Sequence, residues 1–373
     1  MRNLISYKPI LILVTILALA IAIASCSIQV GGQSEENGSS ADVVALPEGA
    51  PEEFSILFEV WDAIKQDHFN RDSLDAEILS QGAVRGMLEA LDDPYASYLT
   101  AQQYAMDSQD FQGFFEGIGA EVSMRDGRIM IVAPIPDTPA EKAGIRPGDI
   151  ILEINGESTE GISLLEAVSK IRGAKGESVD LLILHRTSVE PVRVTIVRDV
   201  IQVSSVKLKV FVGQIAHLRI TSFTGTTEQE LIEALEKIER FESRGVILDL
   251  RDNPGGLLGS VVRVTSHFID DGLVLYEEDR RGNRKNWQVN SDGKAKEIPL
   301  VTLVNEFTAS GSEVLAGALI DHERSTVIGA TTFGKGSVNT IRRLSDGSGL
   351  YFTVARWYTP DGTLIEGEGV ELT

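Results

Sequence analysis

Cysteine is all but missing from this 373-residue chain. Cys26 stands alone, which excludes an intrachain disulfide and any zinc site built on cysteines. Histidine is scarce as well. His68, His185, His217, His267 and His322 are scattered singly, none at metal-ligand spacing from another, so no metal and no cofactor is expected. Positive charge is in deficit: 34 Lys and Arg against 55 Asp and Glu give a formal charge of −21. An acidic surface repels phosphates, so nucleic acid is not an expected partner. There is no internal repeat. What the chain does have is 43 % hydrophobic and 24 % charged residues, the make-up of a folded protein, over a length that suits two or three domains.

The first residues carry a targeting pattern. Arg2 and Lys8 precede an apolar run from Ile10 to Ala24 broken only by Thr15. Its 15 residues are short for a spanning helix and suit a signal segment. The run ends Ile23-Ala24-Ser25-Cys26, which resembles a bacterial lipobox. Residues 1–25 are expected to be a signal sequence, with Cys26 lipidated after cleavage; the other reading is an uncleaved N-terminal anchor with Cys26 as a bystander. Either places the remainder outside the cytoplasm, held at the bacterial cell membrane. Residues 26–50 are polar and rich in Gly and Ser, a flexible linker. At the other end no polar tail follows the turn Pro360-Asp361-Gly362, so the final residues are expected to be poorly fixed or the chain to be short.

Between these ends the pattern changes twice. Phe54, Leu57, Phe58, Trp61 and Ile64, then Val84, Met87, Leu88 and Leu91, recur at helical spacing, and Asp92-Asp93-Pro94 stops the second series. Residues 51–110 therefore read as a helical segment too small to stand alone. Residues 111–199 hold strand-like runs at Arg128 to Ala133, Asp149 to Ile154, Val179 to Leu184 and Val192 to Val197, with a helical stripe of Leu164, Ala167, Val168 and Ile171. This is a compact α+β module. Residues 200–373 alternate strand, loop and helix, with strands at Ile215 to Ile220, Val246 to Leu250, Leu300 to Val304 and Val327-Ile328. That order predicts a layered α/β domain with functional groups at the carboxyl ends of its strands. Hairpins around Trp287 and Asp346-Gly347 add an antiparallel part.

Three loops at those strand ends carry the chemistry. In Ala309-Ser310-Gly311-Ser312-Glu313 a strand hands over to a helix. A serine there can face a cleft, and the free N–H groups of the helix start can bind an oxyanion. In Thr332-Phe333-Gly334-Lys335-Gly336 a lysine stands between glycines. Burial would lower its pKa and make it a base for the serine. Arg251-Asp252-Asn253-Pro254-Gly255-Gly256 is the third loop. Each has a plain structural reading: Ser310 and Glu313 fit a helix capping box, Lys335 a solvated loop lysine, and Gly255-Gly256 a turn. Together, on successive strands, they are more specific than any one alone.

With these motifs and Leu91-Asp92-Asp93-Pro94-Tyr95, the sequence resembles the carboxyl-terminal processing peptidases over most of residues 51–370. The resemblance implies a multi-domain α/β and α+β protein: the N-terminal helical segment, a PDZ domain at 111–199, and a layered crotonase/ClpP-like catalytic domain at 200–373. It makes Ser310 the nucleophile and Lys335, 25 residues on, its base. The family's third residue, a glutamine, corresponds to Asn339, which keeps the amide on a side chain one methylene shorter. The N–H groups of Gly255 or Gly256 and of Gly311, where the family commonly has Ala, are the implied oxyanion donors. Gly117-Ile118-Gly119-Ala120 matches the loop that takes a peptide's terminal carboxylate, so the implied partners are proteins or peptides with free C-terminal tails. The lipid anchor adds the membrane, and a homo-oligomer is compatible. The implied activity is serine endoproteolysis. Two rivals are a PDZ-bearing scaffold inactivated through Asn339 and an apolar-ligand carrier of the same fold. His185 and His217 read as structural, and a triad through His322 is a further alternative.

Overall fold

A computed structural model describes residues 49–186, 188–290 and 292–372. The expected signal sequence, Cys26 and nearly all of the linker lie outside these described residues. The chain divides into two compact units, residues 1–74 and 75–373. In the first, the described elements are the helix Ser55–Asp67 and two short 3-10 turns, Glu52–Phe54 before it and Arg71–Ser73 after it. Phe54, Leu57 and Phe58 repeat at helical spacing as the sequence predicts, yet they are exposed. Among the described residues no helix is long and apolar enough to cross a membrane.

The second unit opens with the helix Ala76–Glu89, whose Asp75 cap accepts from Glu77 N and Ile78 N. The segment expected to be helical throughout also contains a strand, Ser97–Leu99. Three residues are too few to show a period, and their partner is Gly349–Tyr358, more than 250 residues away. The helix Ala101–Gln112 follows through a capping box between Thr100 and Gln103 and ends at Gly113 with φ +86°.

Phe114–Gly117 pairs with Asp199–Gln202 and closes the neck of the α+β module. Beyond that neck lies a six-stranded antiparallel sheet from Ala120–Arg125 to Val192–Val197, wrapped around its own core of Ile129, Ile151, Leu181 and Ile183. The helix Leu164–Ile171 turns Ala167 and Ile171 inward. Between it and Ala120–Arg125 runs a groove of about 630 Å³.

In the third region, Ile215–Ile220, Gly245–Asp249, Leu300–Val304 and Thr326–Gly329 form a parallel sheet, with Val206–Phe211 antiparallel on one edge. The burial of Gly245–Asp249 is nearly continuous, as parallel central strands require. The helices Thr227–Arg240, Leu258–Ser266 and Gly311–Asp321 bury their apolar faces with this sheet in one core that includes Leu218, Leu248, Val264 and Leu315. A second, antiparallel sheet joins Ser337–Arg343, Gly349–Tyr358, Leu273–Asp279 and Arg284–Gln288. The strand ends of the first sheet and the face of the second bound the cleft described next.

Candidate active site

Ser310 sits where Leu300–Val304 passes into the helix Gly311–Asp321, and its backbone is strained: φ is +53° and ψ −119°. A non-glycine residue held there costs about 1–3 kcal/mol and needs surrounding structure to impose it. Glu313 supplies much of that. Its carboxylate is fully buried; one oxygen accepts from Ser310 N (2.7 Å) and Lys335 N (2.9 Å), the other from Thr332 Oγ1 and Gly334 N (both 2.6 Å). Burial holds the Glu313 carboxyl above the usual carboxylate range, and these four donors offset only part of that rise. The residue that reads in sequence as half of a capping box therefore ties the serine turn to the lysine loop. Nothing local in the sequence marks that second role, because the partners are about 20 residues away.

The glycine pair is fixed to the same turn. Asn253 is fully buried; it donates from Nδ2 to Ile220 O (2.9 Å) and its own carbonyl accepts from Ala309 N (3.0 Å) and Ser312 Oγ (3.1 Å). Gly255 has φ +98°, and a Cβ there would lie 2.8 Å from Gly311 N. Its own N–H donates to Asn253 Oδ1 at 2.9 Å. Gly255 is thus corrected as an oxyanion donor: its proton is already committed. The N–H groups of Gly256 and Gly311 have no partner among the described residues, and a Cβ on Gly311 would lie 3.7 Å from Gly256 N, so the two backbones run close together. That Cβ would also meet Val261 Cγ2 at 2.5 Å, which explains glycine here.

Ser310, Lys335, Gly256 and Asn339 line one cleft of about 600 Å³ with apolar walls that include Phe111, Leu257 and Trp357. Burial holds Lys335 below the ordinary lysine range, against the opposing pull of Glu366, Asp93 and Glu313. Its Nζ lies 4.7 Å from the Tyr95 ring centroid and 5.7 Å from that of Tyr351. Among the described residues no hydrogen bond joins it to Ser310. The expected support from Asn339 is not seen: among the described residues no hydrogen bond joins its amide to Lys335. Asn339 lies opposite Thr353 across the strand pair, donates to Thr353 Oγ1 (3.1 Å) and accepts from Ser337 Oγ (3.0 Å). Both of these contacts stay within its own sheet.

The histidines fall away from this cleft. His322 caps the far end of the serine's helix, about 18 Å along its axis from Ser310, and donates from Nε2 to Leu273 O at 2.7 Å. That removes the triad alternative. His185 pairs with Asp149 and His217 with Asp249, both at 2.9 Å, so both are structural. Burial pushes the Asp249 carboxyl up, but Arg251 and His217 outweigh it and bring it down to about 2. Among the described residues no group of three His, Cys, Asp or Glu side chains could hold a metal ion.

In the α+β module, Gly117, Ile118, Gly119 and Ala120 come together at the head of the groove, where the last three line it. The carbonyls of Ile118 and Gly119 accept from Ala140 and Ile135. Gly119 has φ +80°, and a Cβ there would strike Thr138 at 2.3 Å.

A strained serine, a half-buried lysine and neighbouring unpartnered backbone N–H groups at the strand ends of a layered α/β domain, with a peptide-groove module ahead of them, define a serine peptidase carrying a PDZ domain. The chain belongs to the carboxyl-terminal processing peptidases of peptidase family S41. That family is matched by residues 214–373, a PDZ domain by residues 130–184, and the N-terminal domain of the activating protease CtpB by residues 22–103. The chain is 40 % identical over 319 residues to the carboxy-terminal processing protease CtpA of Bacillus subtilis, covering 85 % of this chain and 68 % of that protein. It is 38 % identical to a "Probable CtpA-like serine protease" of Staphylococcus epidermidis, over 83 % of this chain and 63 % of that one. It thus spans about two thirds of the length of these curated relatives. Among solved structures, the photosystem II D1 C-terminal processing protease matches with a TM-score of 0.51 and 28 % identity over 87 % of this chain and 92 % of the other.

Proposed function

We propose that this protein cleaves proteins outside the cytoplasm by a Ser310–Lys335 dyad and selects them by their C-terminal tails. Ser310 Oγ attacks the peptide carbonyl while neutral Lys335 takes its proton. The Gly256 and Gly311 N–H groups receive the tetrahedral oxyanion. The ammonium then returns the proton to the leaving amine, and water releases the acyl group from Ser310. The observation that carries this reading is that the strained Ser310 and the half-buried Lys335 line one cleft with Gly256, whose N–H, like that of Gly311 next to the serine, has no partner among the described residues. Contacts between a nucleophile and its base commonly tighten only with substrate bound. The PDZ groove takes the tail's carboxylate at Ile118–Ala120, in keeping with the tail-processing names of the relatives. The lipobox-like Ile23-Ala24-Ser25-Cys26 supports anchoring at the outer face of the membrane.

One assay tests activity and tail selection together. A reporter protein with an unstructured apolar tail should be cut when its carboxyl end is free and much more slowly when that end is an amide, because a charge-assisted bond of roughly 1.5–3 kcal/mol is lost. Ser310→Ala should abolish both. Turnover that survives Ser310→Ala removes the nucleophile, and equal rates for acid and amide remove the tail reading.

A further inference from the structure

The Asn339 amide is bonded to Thr353 and Ser337, which leaves the surroundings of Lys335 to other groups. Among the described residues Nζ makes no hydrogen bond and no ion pair; its neighbours are two ring faces, Tyr95 at 4.7 Å and Tyr351 at 5.7 Å. Both distances are within the range in which a ring attracts a cation. The rings are fixed relative to each other. Asp93 accepts from Tyr95 N (3.0 Å), from Thr353 N (2.9 Å) and from Thr353 Oγ1 (3.1 Å). Thr353 stands two residues from Tyr351 on the strand Gly349–Tyr358, so the two side chains share a face. Asn339 completes the chain by donating to Thr353 Oγ1. Neither phenol hydroxyl has a hydrogen-bond partner among the described residues, so the contact is made by the ring alone.

We propose that Tyr95 and Tyr351 form an aromatic seat for Lys335, and that Tyr95 is a positioning residue for the base. The inference rests on the Ser310–Lys335 reading. When Lys335 takes the Ser310 proton its new charge arises against these faces, which stabilise it without supplying a hydrogen-bond acceptor that competes with Ser310 Oγ. The Asp93–Pro94–Tyr95 turn, which precedes the PDZ domain in the chain, thereby becomes part of the proton-transfer apparatus. The other charged groups facing Lys335 are Glu366, Asp93 and Glu313, with Arg356 paired to Glu366 at 2.7 Å. None of them changes when a ring is altered.

The test is kcat/KM against pH, on the free-tailed reporter, for the full chain. A ring that favours the ammonium raises the lysine pKa, so losing it moves the acid limb to lower pH. Tyr95→Leu should shift that limb down by about one pH unit and lower the plateau about tenfold. Tyr95→Phe should overlay the parent, since the ring remains. Asn339→Ala should leave the limb in place. Should Tyr95→Leu fail to fold, Tyr95→Phe variants carrying one to three ring fluorines keep the shape and weaken the ring's attraction, and the limb should fall stepwise. An unmoved limb with a lower plateau in Tyr95→Leu, or no fluorine trend, overturns the seat and leaves Tyr95 a packing residue. Full activity in Lys335→Ala would instead overturn the dyad on which the seat depends.

Discussion

At the scale of single residues, the site depends most on a side chain that does no chemistry. Glu313 accepts four hydrogen bonds from four donors on two loops, and all its space is already taken. Glu313→Gln keeps the shape but turns an amide NH2 toward groups that themselves donate. We expect a loss of about 1–3 kcal/mol in stability. We also expect a fall in kcat larger than any rise in KM, because Ser310 and Lys335 lose their common brace. Denaturant melts and initial rates check both, and an unchanged kcat would separate Glu313 from the site. Sequence reading singles out Ser310 and Lys335, which the structure brings to one cleft, because each sits in a glycine-marked loop after a strand. It cannot find the Glu313 bridge, the Tyr95 contact or the inward turn of Asn339, since these are set by packing between segments distant along the chain. The committed N–H of Gly255 is hidden for a different reason: a dipeptide of glycines does not say which proton is free.

Among the elements, the helix Leu258–Ser266 limits what the serine turn can carry. Val261, fully buried, places Cγ2 where a Cβ on Gly311 would be. Gly311→Ala should therefore cost about 1–3 kcal/mol by overpacking and move an oxyanion N–H, lowering kcat/KM. Val261→Ala opens that space, so the double variant should recover activity relative to Gly311→Ala alone. A double variant no better than the single one would show that the glycine is needed for its backbone and not for room. The parallel strands are legible in sequence because their apolar runs are bounded by turn residues. The second sheet is legible only as separate hairpins. Its assembly depends on pairs such as Ser97↔Tyr351, whose separation no local pattern records.

For the whole molecule, the sequence indicates a PDZ domain ahead of a serine peptidase, and we propose a membrane address before both. The address rests on the only cysteine falling behind Ile23-Ala24-Ser25. Cys26→Ser should release the protein from the membrane fraction or leave an unprocessed precursor. Mass spectrometry that finds an unmodified Cys26 behind an intact N-terminus contradicts lipid anchoring. The deficit of positive charge argues against a partner class but names none; the proposed partners are read from the groove and the cleft.

The central claim, that Lys335 is the base of Ser310, is tested most directly by the pH dependence of reporter cleavage in the parent chain and in three variants. A lysine acts as a base only when neutral, and burial holds Lys335 below the ordinary lysine value of about 10.4. Activity should accordingly rise with pH through a lowered lysine pKa rather than through a histidine value near 6.5. Lys335→Ala and Lys335→Arg should both be inactive, the second because guanidinium keeps its proton. His322→Ala should cut at the parent rate at every pH. Full activity in Lys335→Ala together with its loss in His322→Ala would contradict the account.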